Sequence, residues 1–158
     1  MKHPEVVGIL VKSGVNVNAA DNEGNTVLIR AVDNHSYASV GVVNALLEAG
    51  AEVNAKNNYG KTALMFAAAT KGRTDSINAL IRAGALINAK DKAGKTPLIH
   101  AAEIGNASAL NVLINARANI HIKDNNGMTA LDYAQSCKTL PNDILKRLGA
   151  SWYQLHWF

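Results

Sequence analysis

The chain has 158 residues, 48% of them hydrophobic and 18% charged. That balance fits one ordinary domain or about four to five short repeats, and it excludes a disordered, charge-dominated chain. A net charge of +4 and a pI near 9.3 favour acidic partners without requiring nucleic acid.

Alanine makes up much of the apolar content, which suits helices packed closely together, and aromatics at 5% supply no large aromatic core. Cys137 is the single cysteine, so no internal disulfide can form. No apolar run approaches membrane-spanning length, and residues 1–7 lack the apolar stretch of a signal peptide. A soluble protein in a reducing, cytoplasmic compartment is the expectation.

In chain order, residues 3–13 read as one helix with Pro4 in the first turn, where its missing N–H costs nothing, and Gly14 as its stop. Val7, Leu10 and Val11 form the i, i+3, i+4 stripe of a buried face. The stripe recurs as Val43/Leu46/Leu47, Ile77/Leu80/Ile81 and Leu110/Leu113/Ile114. Gly50, Gly84 and Arg117 follow these helices, and a left-handed stop at Arg117 carries strain that glycine avoids.

A short alternating segment comes next each time, ending in Asn18, Asn54, Asn88 or His121, and reads as an extended return. Turns rich in Asp, Asn and Gly follow at Asp21–Gly24, Asn57–Gly60, Asp91–Gly94 and Asp124–Gly127. Thr26, Thr62, Thr96 and Thr129 then open helices, where a threonine hydroxyl can accept from first-turn N–H groups. The turn glycines Gly24, Gly60, Gly94 and Gly127 are 36, 34 and 33 residues apart. A period in the low thirties is the mark of a stacked repeat array.

The pattern D-x-x-G-x-T-P-L followed by L-L-x-x-G-A-x-x-N closely resembles the ankyrin repeat. The resemblance runs over about residues 4–150, with four turn modules in register. It implies an all-α solenoid of helix-turn-helix units joined by short β-hairpin-like turns, about four and a half repeats long. The boundaries are a partial repeat at 4–20, repeats at 21–56, 57–90, 91–123 and 124–150, and an aromatic tail at 151–158. Only Thr96, Pro97 and Leu98 keep the family's Thr-Pro-Leu. The family's histidine position holds Ile29, Met65, Ile99 and Asp132, so its hydrogen-bond bracing is expected to be missing, with His100 displaced by one residue.

Two inter-helix loops are longer than the repeat needs, around His35 to Tyr37 and near Lys71 and Gly72. They are either tolerated insertions or part of a binding face. The first repeat has only its second helix, so either something covers the stripe at Val7, Leu10 and Val11 or the chain is a piece excised from a longer one, and the excised piece is the expectation. The tail from Trp152 to Phe158 gathers aromatics and reads as a lid over the last helix pair, or alternatively as a partner or membrane anchor.

Little chemistry is on offer. Gly60, Lys61 and Thr62, like Gly94, Lys95 and Thr96, fit a loosened P-loop pattern, but their period is that of the repeat. The five histidines (His3, His35, His100, His121 and His156) have no metal-ligand spacing, and Cys137 has no neighbouring base. No catalysis, cofactor or metal is expected.

Lys56, Lys90 and Lys123 share one position in three repeats, Lys61 and Lys95 share a second, and Lys92 adds to the third turn. Stacking aligns them into a basic stripe along the hairpin tips, either a solvated edge or a surface for an acidic protein segment. Asp21, Asp91 and Asp124 partly neutralise it, which argues against nucleic acid.

The resemblance implies a binding groove of hairpin tips and inner helices. Its tip contacts fall on Asn22, Glu23, Asn25, Asn58, Tyr59, Lys61, Lys92, Ala93, Lys95, Asn125, Asn126 and Met128. Its inner-helix contacts fall on Asp33, Asn34, Ala69, Thr70, Glu103, Ile104, Ser136 and Cys137. Tyr59 stands out as an anchor. Asn54 and Asn88 occupy an asparagine position hydroxylated in some ankyrin proteins, or serve as structural ligands of the hairpin backbone. The expectation is a monomeric protein-binding module, with weak self-association through the N-terminal helix or the aromatic tail as an alternative state, or the targeting portion of a larger multidomain protein or host-directed effector.

Overall fold

The computed structural model describes residues 14, 16–33, 40–137 and 139–151. The helix expected at 3–13, the loop around His35, Asn34 and the tail 152–158 lie outside the described residues.

Among the described residues there are eight helices and no strand. They are α1 Val27–Asp33, α2 Val40–Glu48, α3 Ala63–Ala68, α4 Thr74–Arg82, α5 Pro97–Glu103, α6 Ala107–Asn115, α7 Ala130–Ser136 and α8 Asn142–Arg147. The odd-numbered helices pack on one another in one layer, the even-numbered ones in a second, and each pair closes across the gap. The architecture is an all-α stack of helix pairs, as the resemblance implies.

The core follows the apolar stripes. Val43, Leu46, Ile77, Leu80, Leu110 and Leu113 are buried on the outer helices, while Leu28, Leu64 and Leu98 are buried on the inner ones. Ala67, Ala68, Ala101, Ala102 and Ala134 are also buried, and their small side chains let inner helices approach. Ile144 and Leu148 extend the same core to the last helix.

Each even-numbered helix ends in one device. The N–H of Ala51, Ala85, Ala118 and Ala150 donates to the carbonyl of Leu46, Leu80, Leu113 and Leu145 respectively. This is the Schellman closure, which requires a left-handed residue just before the donor. Glycine fills that place at Gly50, Gly84 and Gly149, and Arg117 adopts it with φ 63°. Arg117 is the one non-glycine residue with positive φ among those described, as expected.

The return segments are turned rather than extended. Ala19, Ala55 and Ala89 donate to the carbonyls of Asn16, Glu52 and Leu86. The reason lies in the asparagines, which bind forward and hold the chain in a bend. Asn18 Oδ1 accepts from the N–H of Glu52 (2.8 Å), Asn54 Oδ1 from Leu86 (2.8 Å) and Asn88 Oδ1 from Asn119 (2.9 Å). Asn54 and Asn88 thereby serve as links between repeats.

Helix starts differ in one place. The hydroxyls of Thr26, Thr96 and Thr129 accept from Ile29, Ile99 and Asp132. Thr62 sits at the equivalent N-cap, yet its buried hydroxyl has no partner. The capping expected of Thr62 is therefore absent. Its carbonyl alone closes the first turn, accepting from Met65.

Candidate interaction surface

The hairpin tips are built by one side-chain oxygen per repeat. Asp21, Asn57, Asp91 and Asp124 each accept, through Oδ1, from the N–H groups two and four residues ahead. Their own N–H donates across the tip to Asn25, Lys61, Lys95 and Met128. The P-loop reading therefore lacks its chemistry, since the tip N–H groups are already bound internally.

Successive tips are tied to one another. Asn58, Lys92 and Asn125 donate their N–H to the carbonyls of Glu23, Tyr59 and Ala93. Asn58 Nδ2 and Asn125 Nδ2 add bonds to the carbonyls of Asn22 and Lys92. A glycine is needed here for space as well as for φ. A Cβ on Gly94 would lie 2.5 Å from Asn125 Oδ1 and 2.9 Å from its backbone nitrogen.

A second brace joins each tip to its own inner helix, nine residues on. Arg30 Nε donates to Asp21 Oδ2 (2.8 Å), His100 Nε2 meets Asp91 Oδ2 (2.8 Å), and the Tyr133 hydroxyl donates to Asp124 Oδ2 (2.7 Å). The bracing expected to be missing is thus present at another position, because a side chain one residue later reaches the free turn carboxylate oxygen. The fourth pair proves the rule by its exception. Phe66 cannot donate, and its partner is Asn57, whose Nδ2 turns to Asn25 Oδ1 instead (2.8 Å). Sequence reasoning missed this brace, although the shared spacing of nine residues was its signal.

These contacts set the local charges. Burial depresses the His100 pKa below 6.5, and the facing Asp91 carboxylate only partly opposes it. Desolvation works to raise Asp124, but the Tyr133 hydroxyl and the N–H groups of Met128 and Asn126 outweigh it and hold the carboxyl below the usual range. At Asp21 desolvation is likewise outweighed, by Arg30 and the N–H groups of Asn25 and Glu23. Asp132 is lowered by the N–H and hydroxyl of Thr129, in a capping box.

The tip and inner-helix positions divide into exposed and engaged groups. Asn22, Glu23, Asn58, Tyr59, Lys92, Ala93, Asn125, Asn126, Glu103 and Ile104 are exposed, Tyr59 at 58%. Asn25 and Thr70 are buried and bind protein groups, so they face the stack and not solvent. Asp33 and Met128 are half-buried, with Asp33 3.7 Å from Arg30. Lys95 pairs with Glu103 at 2.8 Å and lies over the Tyr133 ring, and Lys61 lies over Phe66. Cys137 caps α7, with its thiol against the carbonyls of Ala102 and Glu103.

The lysine column is partly built into the stack. Lys56 Nζ donates to the Lys90 carbonyl and Lys90 Nζ to the Lys123 carbonyl, both at 2.9 Å. All three side chains run along an exposed edge.

No helix among the described residues is long and apolar enough to cross a membrane. No curated protein matches the chain. A family model of ankyrin repeats in three copies matches residues 1–91 and 64–150. With tips stacked by backbone bonds, helices closed by the same left-handed stop and the family pattern matched along nearly the whole length, the chain belongs to the ankyrin repeat family.

Proposed function

We propose that this chain binds another protein through its hairpin tips and the adjoining ends of its inner helices, without catalysis of its own. Ankyrin repeats in general are protein–protein interaction modules. The supporting observation is Tyr59. Its side chain is the largest one exposed on the tips, while its N–H is held by Asn57 and its carbonyl by Lys92. A large amphipathic side chain on a backbone fixed before binding suits an interface anchor, because little order is lost on association.

Lys61, Lys92, Glu103, Ile104 and the column of Lys56, Lys90 and Lys123 complete the surface. Their charge balance favours an acidic protein segment over nucleic acid. The test is site-specific photo-crosslinking, with a photoreactive residue at Tyr59 or at Ser108, which is exposed on the outer helix α6. Discrete protein adducts from Tyr59, absent from Ser108, are expected. Adducts from Ser108 alone, or from neither position in a folded protein, overturn the reading.

A further inference from the structure

We infer that the column of Lys56, Lys90 and Lys123 is a receptor for an extended acidic polypeptide with a carboxylate at every third residue. This rests on the reading of the tips as a protein-binding surface and specifies its ligand.

The chain treats its own cations in two ways. Arg30, beside the first tip, lies within 4.0 Å of three carboxylates, those of Asp21, Glu23 and Asp33. Further along, Lys95 has Glu103, but Lys56, Lys61, Lys90, Lys92 and Lys123 have no carboxylate in that range among the described residues. Carboxylates are near in sequence but turned inward. The Asp91 side chain is 3% exposed against His100, and Asp124 is buried against the Tyr133 hydroxyl. Of the three acids expected to neutralise the stripe, Asp91 and Asp124 therefore present no carboxylate at its surface, and Asp21, though exposed, is engaged by Arg30.

Lys56 and Lys90 each place one ammonium proton on a backbone carbonyl of the next repeat. That bond fixes the end of a long side chain, brings no negative charge, and leaves two donors free. The entropy of ordering the lysine is thus largely lost before any ligand arrives. Two ammoniums held in place with no carboxylate in ion-pair range among the described residues, continued by Lys123, whose charge acts on Asp132 beyond that range, form a row suited to carboxylates.

The geometry sets the ligand's period. Packed helices lie about 8–10 Å apart, which is the step between equivalent positions in adjacent repeats. An extended chain advances about 3.3 Å per residue, so about three residues span one step. Carboxylates at i, i+3 and i+6 would meet the three lysines in turn. A helical ligand needs an apolar groove for its buried face, and the tip residues neighbouring the column, Asn58, Lys92 and Asn125, are exposed and polar.

The experiment is fluorescence anisotropy at low salt with two labelled peptides of one composition. One repeats Glu-Ser-Gly four times, and its isomer carries the four glutamates in one run. The periodic peptide is expected to bind at least about fivefold tighter, and Lys56/Lys90/Lys123→Gln to weaken it about tenfold. The matching triple arginine variant should keep binding within about threefold. The Lys123 side chain makes no hydrogen bond to a neighbouring repeat among the described residues, and its carbonyl, which Lys90 uses, is kept in a substitution, so Lys123→Gln tests the charge even if the triple variant fails to fold; a loss of about threefold is expected.

Equal affinity for the two isomers, or no loss in Lys123→Gln, overturns the proposal. Tighter binding of a single-stranded DNA dodecamer than of the periodic peptide also overturns it. If the peptides fail while Tyr59 still crosslinks a protein, only the lysine receptor falls; if both fail, the reading of the surface falls with it.

Discussion

Arg117 shows how one residue can satisfy a hydrogen-bond pattern and still strain the backbone. Its N–H and that of Ala118 complete the same closure as at Gly50 and Gly84, but at φ 63° its Cβ crowds the following carbonyl. Left-handed geometry costs an ordinary residue about 1–2 kcal/mol, while glycine gives back about 0.5–1 kcal/mol through unfolded-state freedom. Arg117→Gly is therefore expected to stabilise the protein by about 0.5–1 kcal/mol in urea titration. A lower midpoint would show that the arginine side chain contributes more than its backbone costs.

His100 gives the residue scale a pH dependence. Its folded pKa lies below 6.5, so as pH falls through 6.5 the unfolded chain takes up a proton that the folded chain resists. Stability is then fully present above 6.5 and declines as pH falls toward the lower folded value. The paired carboxylates Asp21, Asp124 and Asp132, held below the usual carboxylate range, act in a separate and more acidic window. Urea midpoints between pH 7.5 and pH 5 should fall in the wild type, and this slope should shrink in His100→Gln. An unchanged slope would assign the effect to other groups.

At the scale of elements, the second repeat is the weak one. Phe66 cannot brace its tip, Asn57 stands where the other repeats have aspartate, and the Thr62 hydroxyl is buried without a partner. Asn57→Asp alone would keep the N–H groups of Tyr59 and Lys61 on one oxygen but leave the other buried carboxylate oxygen without a donor, and would lose the bond to Asn25. Adding Phe66→His supplies the donor seen at His100. The double-mutant cycle is expected to show favourable coupling of about 1.5–3 kcal/mol, the range for a charge-assisted bond. Additive effects would mean that the nine-residue brace cannot be transplanted.

Element positions were largely legible in the chain because helix stripes and turn residues are local signals. The brace was not, since it joins side chains nine residues apart that meet only when the inner helix folds back beneath its tip. Asn106 was also invisible. It caps α6 through Ala109, and its side-chain amide reaches the carbonyls of Ala68 and Thr70 in the preceding repeat. Nothing in the local sequence distinguishes that role from an ordinary cap.

For the whole molecule, stability is carried from neighbour to neighbour. Each helix pair packs chiefly on the pair before and after it, so a lost link divides the stack and does not dissolve it uniformly. Asn106→Ala leaves two buried carbonyls without their donor and is expected to cost about 2–3 kcal/mol. Hydrogen exchange should then rise first in α3 to α6, on either side of the broken link. Uniform acceleration along the chain would instead indicate a single cooperative unit.

The sequence by itself determined the period, the helix pairs, the left-handed stops and the family, because each is written in residues close together in the chain. The tertiary structure alone decided which lysines hold the next repeat, which carboxylates turn inward and which asparagines are links. Those outcomes depend on the distance between repeats, roughly 34 residues apart in sequence yet adjacent in space. Stacking brings Lys56 to the carbonyl of Lys90 while Asp91 faces His100, and so the lysine row has no carboxylate in ion-pair range among the described residues.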